Sequence, residues 1–280
     1  MNKLSRVEII ILYILQALLL IVVFLPLVFA LTSSFRPLED VYKYIRPLSL
    51  KTFFPDTFSL DAYKTIFTEY NFGRSILNSL FVAGVTIILG IIVNAMAGFC
   101  FAKFRFTGKK VLFMLVLVTA MVPFELISIN LYQVILRLNW TNTYQALILP
   151  SVANGIVIFL FRQFFLDFPD YMIEAAILDG LNWPGVFFRI AMPNAKSIII
   201  SAGLILFLSQ WESFLWPVLV TRTPEMQTIQ IALSSFQTEH AKMWNLIFAA
   251  SIIAFLIPVS IMLPMQRFYI EGITNTGVKE

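Results

Sequence analysis

The chain has 280 residues, of which 59% are hydrophobic and 13% charged; a soluble globular chain carries roughly 45–50% apolar and about 25% charged residues, so a soluble protein is excluded and a membrane protein is expected. A net charge of +4 is ordinary for such a chain and gives no reason to expect a nucleic-acid partner. One cysteine, Cys100, forms no internal disulfide, and one histidine, His240, in a loop, leaves no cluster for haem, zinc or quinone-type redox chemistry.

Crossing a hydrocarbon core of about 30 Å takes about 20 apolar residues per helix. The first such run, at about 8–31, follows Lys3 and Arg6 but exceeds a signal-peptide core and lacks a small-residue cleavage site, so it reads as helix one. Segment 32–74 mixes charges and aromatics with Pro37, Pro47 and Pro55; an ordered external loop with short helices such as 60–69 is expected, and a bare tether fits the same stretch. Runs two and three, at about 75–101 and 111–135, are joined by the short turn "KFRFTGKK", which makes them antiparallel neighbours. Run four lies at about 143–165, run five at about 198–220 and run six at about 244–266. All six are expected to be helices, because lipid cannot satisfy an open backbone. The fold class is therefore an all-α membrane protein with six transmembrane helices, forming a single transmembrane domain over residues 1–280. Basic residues are densest near the helix ends on the side of both termini, chiefly in the 103–110 turn, which sets both termini in the cytoplasm.

Between runs four and five the stretch "DFPDYMIEAAILDGLNWPGVFFRIAMPNAK" reads like soluble helix. Pro169 suits a helix start, Asp170 and Glu174 favour the positive end of its macrodipole, and Gly180 suits a left-handed stop. A helix of about 11 residues is only about 16 Å long, too short to span a bilayer. It is apolar nearly all round and so needs cover on two sides, its own bundle and a partner's groove. A membrane-surface hairpin is the plainer alternative, but its polar face would carry Lys or Arg where this flank is acidic. Asn182 is expected to cap a second short helix through Ile190, ended by Pro193. The later loop 221–243 carries an apolar stripe of Ile229, Ile231, Leu233 and Phe236, with no obvious burial site in a six-helix bundle. It reads as a segment that dips toward the membrane or reaches a partner, and equally as a solvated cap.

Polar residues inside membrane runs are costly and face a cavity or a partner. Runs three, four and five have midpoints near 122, 155 and 209, so Glu125 with Pro123, Asn154, and Gln210 with Trp211 and Glu212 fall at similar depth. With Trp216 they supply the amides, carboxylates and flat faces that a sugar requires. Lone amides such as Asn78 and Asn94 read better as interhelical hydrogen bonds. Pro123 and Pro217 are positioned to break helices, and two acids at mid-depth repel an anionic substrate.

The spacing of Glu174, Ala175, Ala176, Gly180, Ile190 and Pro193 resembles the loop that marks the membrane subunits of binding-protein-dependent ABC importers. The tail "QRFYIEGITNTGVKE" and the stretch "QWESFLWPVLVT" are similar to motifs of the carbohydrate-uptake branch. The likeness runs from about residue 75 to the end and is nearest to the second permease subunit of sugar importers of the maltose and glycerol-3-phosphate type. Met192, Glu212 and Asn130 depart from the usual residues, the last two near the possible path.

The resemblance implies a non-catalytic permease subunit in a bacterial cytoplasmic membrane, coupled through residues 169–193 (Glu174, Ala175, Ala176, Asp179, Gly180, Ile190, Pro193) to a partner that hydrolyses ATP. It also implies a sister permease, two ATPase subunits that bind the ATP and Mg, and an extracytoplasmic solute-binding protein; Gln230, Ile231, Leu233, Ser234 and Ser235 are expected to contact the last. No cofactor or metal is expected in this chain, and no Gly-rich phosphate loop ending in Gly-Lys-Ser/Thr occurs. An ion-coupled secondary transporter is the alternative, permitted by Glu125 and Glu212 but leaving the 169–193 loop unexplained; a membrane enzyme lacks a nucleophile, base or metal set at one depth.

Overall fold

The computed structural model describes residues 5–43, 50–54, 56–238 and 243–274, all helix, turn or coil, with no strand among them. The helices are α1 (Arg6–Ser34), α2 (Leu38–Lys43), α3 (Leu50–Phe53), α4 (Asp61–Thr68), α5 (Phe72–Lys103), α6 (Lys109–Met121), α7 (Phe124–Arg137), α8 (Tyr144–Ile148), α9 (Gly155–Asp167), α10 (Asp170–Leu178), α11 (Trp183–Val186), α12 (Met192–Asn194), α13 (Lys196–Trp211), α14 (Leu215–Val220), α15 (Ile229–Thr238) and α16 (Trp244–Thr274). A π turn, Phe187–Ala191, joins α11 to α12.

Three helices are continuous, long and apolar enough to cross a membrane: Arg6–Ser34, Phe72–Lys103 and Trp244–Gln266. Three more candidates are bent pairs: Lys109–Met121 with Phe124–Arg137 at 100°, Tyr144–Ser151 with Gly155–Asp167 at 44°, and Trp183–Asn194 with Lys196–Trp211 at 85°. Each of runs three, four and five is interrupted for a local reason; the breaks in runs three and five are the ones that Pro123 and Pro217 mark in the sequence, and the one in run four has no such mark. At Val122 the backbone turns extended (ψ 122°) because Pro123 follows. At Asn154 the chain leaves a 3-10 turn in extended geometry (φ −130°, ψ 115°) and the side chain starts α9 afresh. In run five α13 stops at Trp211, because the Pro217 ring excludes a continuous helix through residue 213, and α14 restarts with that proline in its first turn.

Contacts divide the chain into two compact units: Met1–Gly73 with Ala232–Ile257, and Arg74–Ile231 with Pro258–Glu280. In the first unit the 32–74 segment is a packed structure over its described residues. Phe35 lies between Phe58 (4.8 Å between ring centroids) and Tyr63 (5.1 Å). The Tyr63 hydroxyl bonds Ser34 Oγ at 2.7 Å, and the buried Arg36 guanidinium donates to the Thr52 carbonyl at 2.9 Å. Phe236 of α15 is fully buried against Tyr70 and Phe72.

The second unit has two apolar centres. One gathers Phe99 of α5, Phe161 and Phe165 of α9, Ile173 and Ala176 of α10, Phe187 of the π turn, and Ala202 and Leu206 of α13. The other joins Val82, Ile135, Leu147, Trp216 and Val220. Two glycines permit the closest backbone approaches. A Cβ on Gly98 would lie 2.6 Å from the Phe161 Cβ, and one on Gly155 would lie 2.8 Å from the Ala120 Cβ.

Candidate functional site

The broken 109–137, 144–167 and 196–220 segments are linked to one another and to α5 by side chains. Asn94, on continuous α5 and fully buried, donates from Nδ2 to the Val152 carbonyl at 2.8 Å and to Gly90 at 2.6 Å. Its Oδ1 accepts the Asn154 N–H at 2.8 Å. One amide thus supplies a donor and an acceptor to the two sides of the α8–α9 gap, whose backbone groups would otherwise be unsatisfied in an apolar layer. Gln210 Nε2 donates to the Leu147 carbonyl at 3.0 Å and Trp216 Nε1 to the Ala146 carbonyl at 2.8 Å, both carbonyls of α8. The Trp216 ring meets Phe124, the first residue of α7, edge-on at 5.7 Å, which ties the break after α13 to the break before α7.

Four of the six residues assigned to the path from sequence therefore have local structural tasks. Asn154 caps α9, its Oδ1 accepting from the N–H groups of Ile156 (3.0 Å) and Val157 (3.2 Å). Gln210 bonds α8; Trp211 is buried and stacks on Phe207, its carbonyl taking the Gln230 amide at 3.1 Å; Trp216 is buried with its N–H used. The flat faces expected for a sugar are thus covered within the chain. Glu125 and Glu212 remain exposed at two of the breaks, and neither carboxylate has a partner among the described residues. Asn78 makes one interhelical bond, accepting from the Tyr144 hydroxyl of α8 at 2.9 Å, and its amide ties α5 to the 221–228 loop by donating to the Glu225 and Gln227 carbonyls at 2.8 and 2.9 Å.

Residues 169–194 form a second cluster. Pro169 precedes α10, and Ile173 and Ala176 turn inward to the phenylalanine core. On the opposite surface Glu174, Ala175 and Asp179 are exposed, with Tyr171 71%, Ile177 43% and Leu178 88% accessible. The helix ends in a two-bond left-handed cap: Gly180 has φ +87°, its N–H reaches the Ile177 carbonyl at 2.9 Å, and the Leu181 N–H reaches Ala176 at 3.0 Å. Asn182 Oδ1 then accepts the Gly185 N–H at 2.9 Å and starts α11. Helical structure continues past the expected stop at Pro193. The π turn accommodates the proline that lacks an N–H, and Asn194 Nδ2 takes up the Ile190 carbonyl at 2.7 Å. Ile190 is half-buried on the core and Pro193 is exposed. Lys103, which sequence reasoning treated only as a topogenic charge, bonds the base of this loop: its Nζ lies 2.6 Å from both the Phe168 carbonyl and Asp170 Oδ1.

The stripe in loop 221–243 corrects the sequence reading. Ile229, Ala232 and Phe236 are buried within the chain, and Gln230, Ile231, Leu233, Ser234 and Ser235 are each half-buried, so the stripe has the burial site it was thought to lack. His240 lies outside the described residues.

Residues 87–271 match the family described as "Binding-protein-dependent transport system inner membrane component". The chain belongs to that family. The permease is 33% identical over 259 residues to the arabinooligosaccharides transport system permease protein AraQ of Halalkalibacterium halodurans, covering 91% of this chain and 90% of that one. It is 35% identical over 205 residues to the sn-glycerol-3-phosphate transport system permease protein UgpE of Rhizobium meliloti, covering 72% of each. Its fold matches a chain of a bacterial ABC transporter involved in the import of the acidic polysaccharide alginate, with TM-score 0.82, 18% identity, and 96% and 99% of the two chains covered. A second structure of the alginate transporter, in complex with a periplasmic protein bound to an alginate pentasaccharide, matches at TM-score 0.63 and 17% identity, with 95% and 96% covered. The permease is thus a multi-pass membrane component of a binding-protein-dependent transport system, with the fold of an importer subunit.

Proposed function

We propose that the chain is one of two non-identical permease subunits of an ATP-driven sugar importer in a bacterial cytoplasmic membrane, with both termini in the cytoplasm. ATP and Mg belong to a separate pair of ATPase subunits, and substrate arrives on an extracytoplasmic binding protein. The observation that carries this reading is α10. One face, Ile173 and Ala176, is anchored in the core, while Tyr171, Ile177 and Leu178 present an apolar surface beside Glu174, Ala175 and Asp179. An apolar helix face in a loop, backed by a rigid core, suits insertion into a groove of a partner protein. Gly180, Ile190 and Pro193 shape the loop that carries it.

The linked breaks form this subunit's half of the path, completed by the sister subunit. Glu125 and Glu212 are its contribution of unpaired charge, which favours uncharged sugars such as pentose oligosaccharides over phosphorylated or uronate ones. Contact with the binding protein through Gln230, Ile231, Leu233, Ser234 and Ser235 rests on the part of those side chains that stays open. The ion-coupled transporter reading draws on the same two glutamates but gives α10 no task.

The test is disulfide trapping in a Cys100→Ser background, with Leu178→Cys paired to single cysteines in the groove of the ATPase subunit. Efficient trapping that responds to ATP is expected. Uptake driven by an ion gradient in vesicles holding this chain without ATPase subunits would replace the proposal with the alternative.

A further inference from the structure

We infer that Lys103 is a positioning residue that makes α5 a strut between the docking helix α10 and the α8–α9 break. The inference rests on the docking reading of α10.

Lys103 is the last residue of α5, and its side chain is only 9% exposed. An ammonium so far from water must be hydrogen-bonded, and both of its partners belong to the elbow between α9 and α10. The Phe168 carbonyl closes the C-terminal end of α9, where the macrodipole is negative. The Asp170 carboxylate is carried by the first residue of α10 and is itself 75% exposed. With its ammonium buried and its partner carboxylate in solvent, the pair ties the start of α10 to the end of α5.

The same end of α5 also packs on α9 and, through Phe187, on the loop. Gly98 lets its backbone meet that of Phe161 and Arg162, and the Phe99 ring sits 5.2 Å from Phe165 and 5.4 Å from Phe187. Nine residues earlier, about 13 Å along the axis, Asn94 of the same unbroken helix holds both sides of the α8–α9 break. A displacement of α10 is therefore delivered by Lys103 to α5 and by Asn94 to the break.

The test uses the complete transporter in vesicles, with arabinotriose on its binding protein as probe, and reads sugar moved per ATP hydrolysed. Lys103→Gln is expected to lower that ratio fivefold or more while ATPase subunits co-purify in full amount; Lys103→Arg keeps it within twofold of the parent. Asp170→Asn, a change on an exposed side chain that leaves folding intact, lowers it about threefold and carries the test should Lys103→Gln fail to assemble. A purely structural role would depress uptake and stimulated ATPase together and leave the ratio unchanged. An unchanged ratio in the variants, with Leu178 trapping intact, overturns the strut alone; loss of Leu178 trapping in the parent overturns the docking reading beneath it.

Discussion

Gly180 offers the sharpest separation of backbone geometry from contact. At φ +87° it lies in the left-handed region, and a Cβ built there meets nothing within 4 Å, so any cost of substitution comes from the backbone. For an L-residue that cost is about 1–2 kcal/mol, and a β-branched side chain sits at the upper end. If the chain escapes the strain by leaving this conformation, it gives up the two capping bonds, Gly180 to Ile177 and Leu181 to Ala176, at about 0.5–1.5 kcal/mol each. Either route costs Gly180→Val about 1–3 kcal/mol of correctly terminated α10. With 1.4 kcal/mol per factor of ten, the docked population falls about 5- to 140-fold. Gly180→Asn, which tolerates the left-handed region, should stay within about threefold of the parent, with Gly180→Ala between the two. Substrate-stimulated ATPase and uptake, measured side by side in reconstituted vesicles at matched expression, provide the assay. Normal coupling in Gly180→Val, or equal damage from Asn and Val, would refute the reasoning.

Asn154→Asp should retain the cap on α9 and Asn154→Ala lose about 1 kcal/mol of stability; denaturation in detergent should register the loss while the KM for sugar uptake stays unchanged, since the side-chain oxygen is committed to the Ile156 and Val157 N–H groups. Gly98→Val should force α5 away from α9, where a Cβ meets Phe161 at 2.6 Å, costing about 1–3 kcal/mol or more, seen as a lower melting temperature of the purified complex. The hydrogen bond from Lys103, then its charge with that of Arg105, holds the Asp170 carboxyl below its ordinary value. Its folded-state pKa being depressed, its contribution is present above the unfolded carboxylate pKa of about 4 and is lost as pH falls through the lowered folded value. The stability difference between parent and Asp170→Asn should accordingly be flat from about pH 5 to 8 and shrink below about pH 4, checked by unfolding across that range.

The loop 169–194 was legible because its signals are local: Pro169, Gly180 and Asn182 each act within a few residues, and α10 lies where they set it. The breaks were legible only where proline marked them. Hydropathy averaged over about 20 residues does not register a gap of two or three, and the α8–α9 gap depends on Asn94, some 60 positions from Asn154. A polar residue in an apolar run has the same signature whether it faces a path or satisfies a broken backbone. For Asn154, Gln210 and Trp216 only the partner at about 3 Å decides, and each partner is backbone. The 229–236 stripe failed for the converse reason: Tyr70 and Phe72, which cover Phe236, stand more than 160 residues earlier in the chain.

The Asn94 amide also bears on how the chain is made. Synthesis runs from the N-terminus, so α5 enters the bilayer while residues 152–154 are still on the ribosome. Until they arrive, Nδ2 has an acceptor on its own helix, the Gly90 carbonyl at 2.6 Å. That bond shelters the amide from hydrocarbon during the wait, and it persists after Val152 and Asn154 dock. An interrupted helix released alone into lipid would expose bare peptide groups; here the matching donor and acceptor are already inserted when the gap emerges. A glutamine at 94 would lack so short a local bond, and its penalty should fall on membrane insertion yield before it falls on transport.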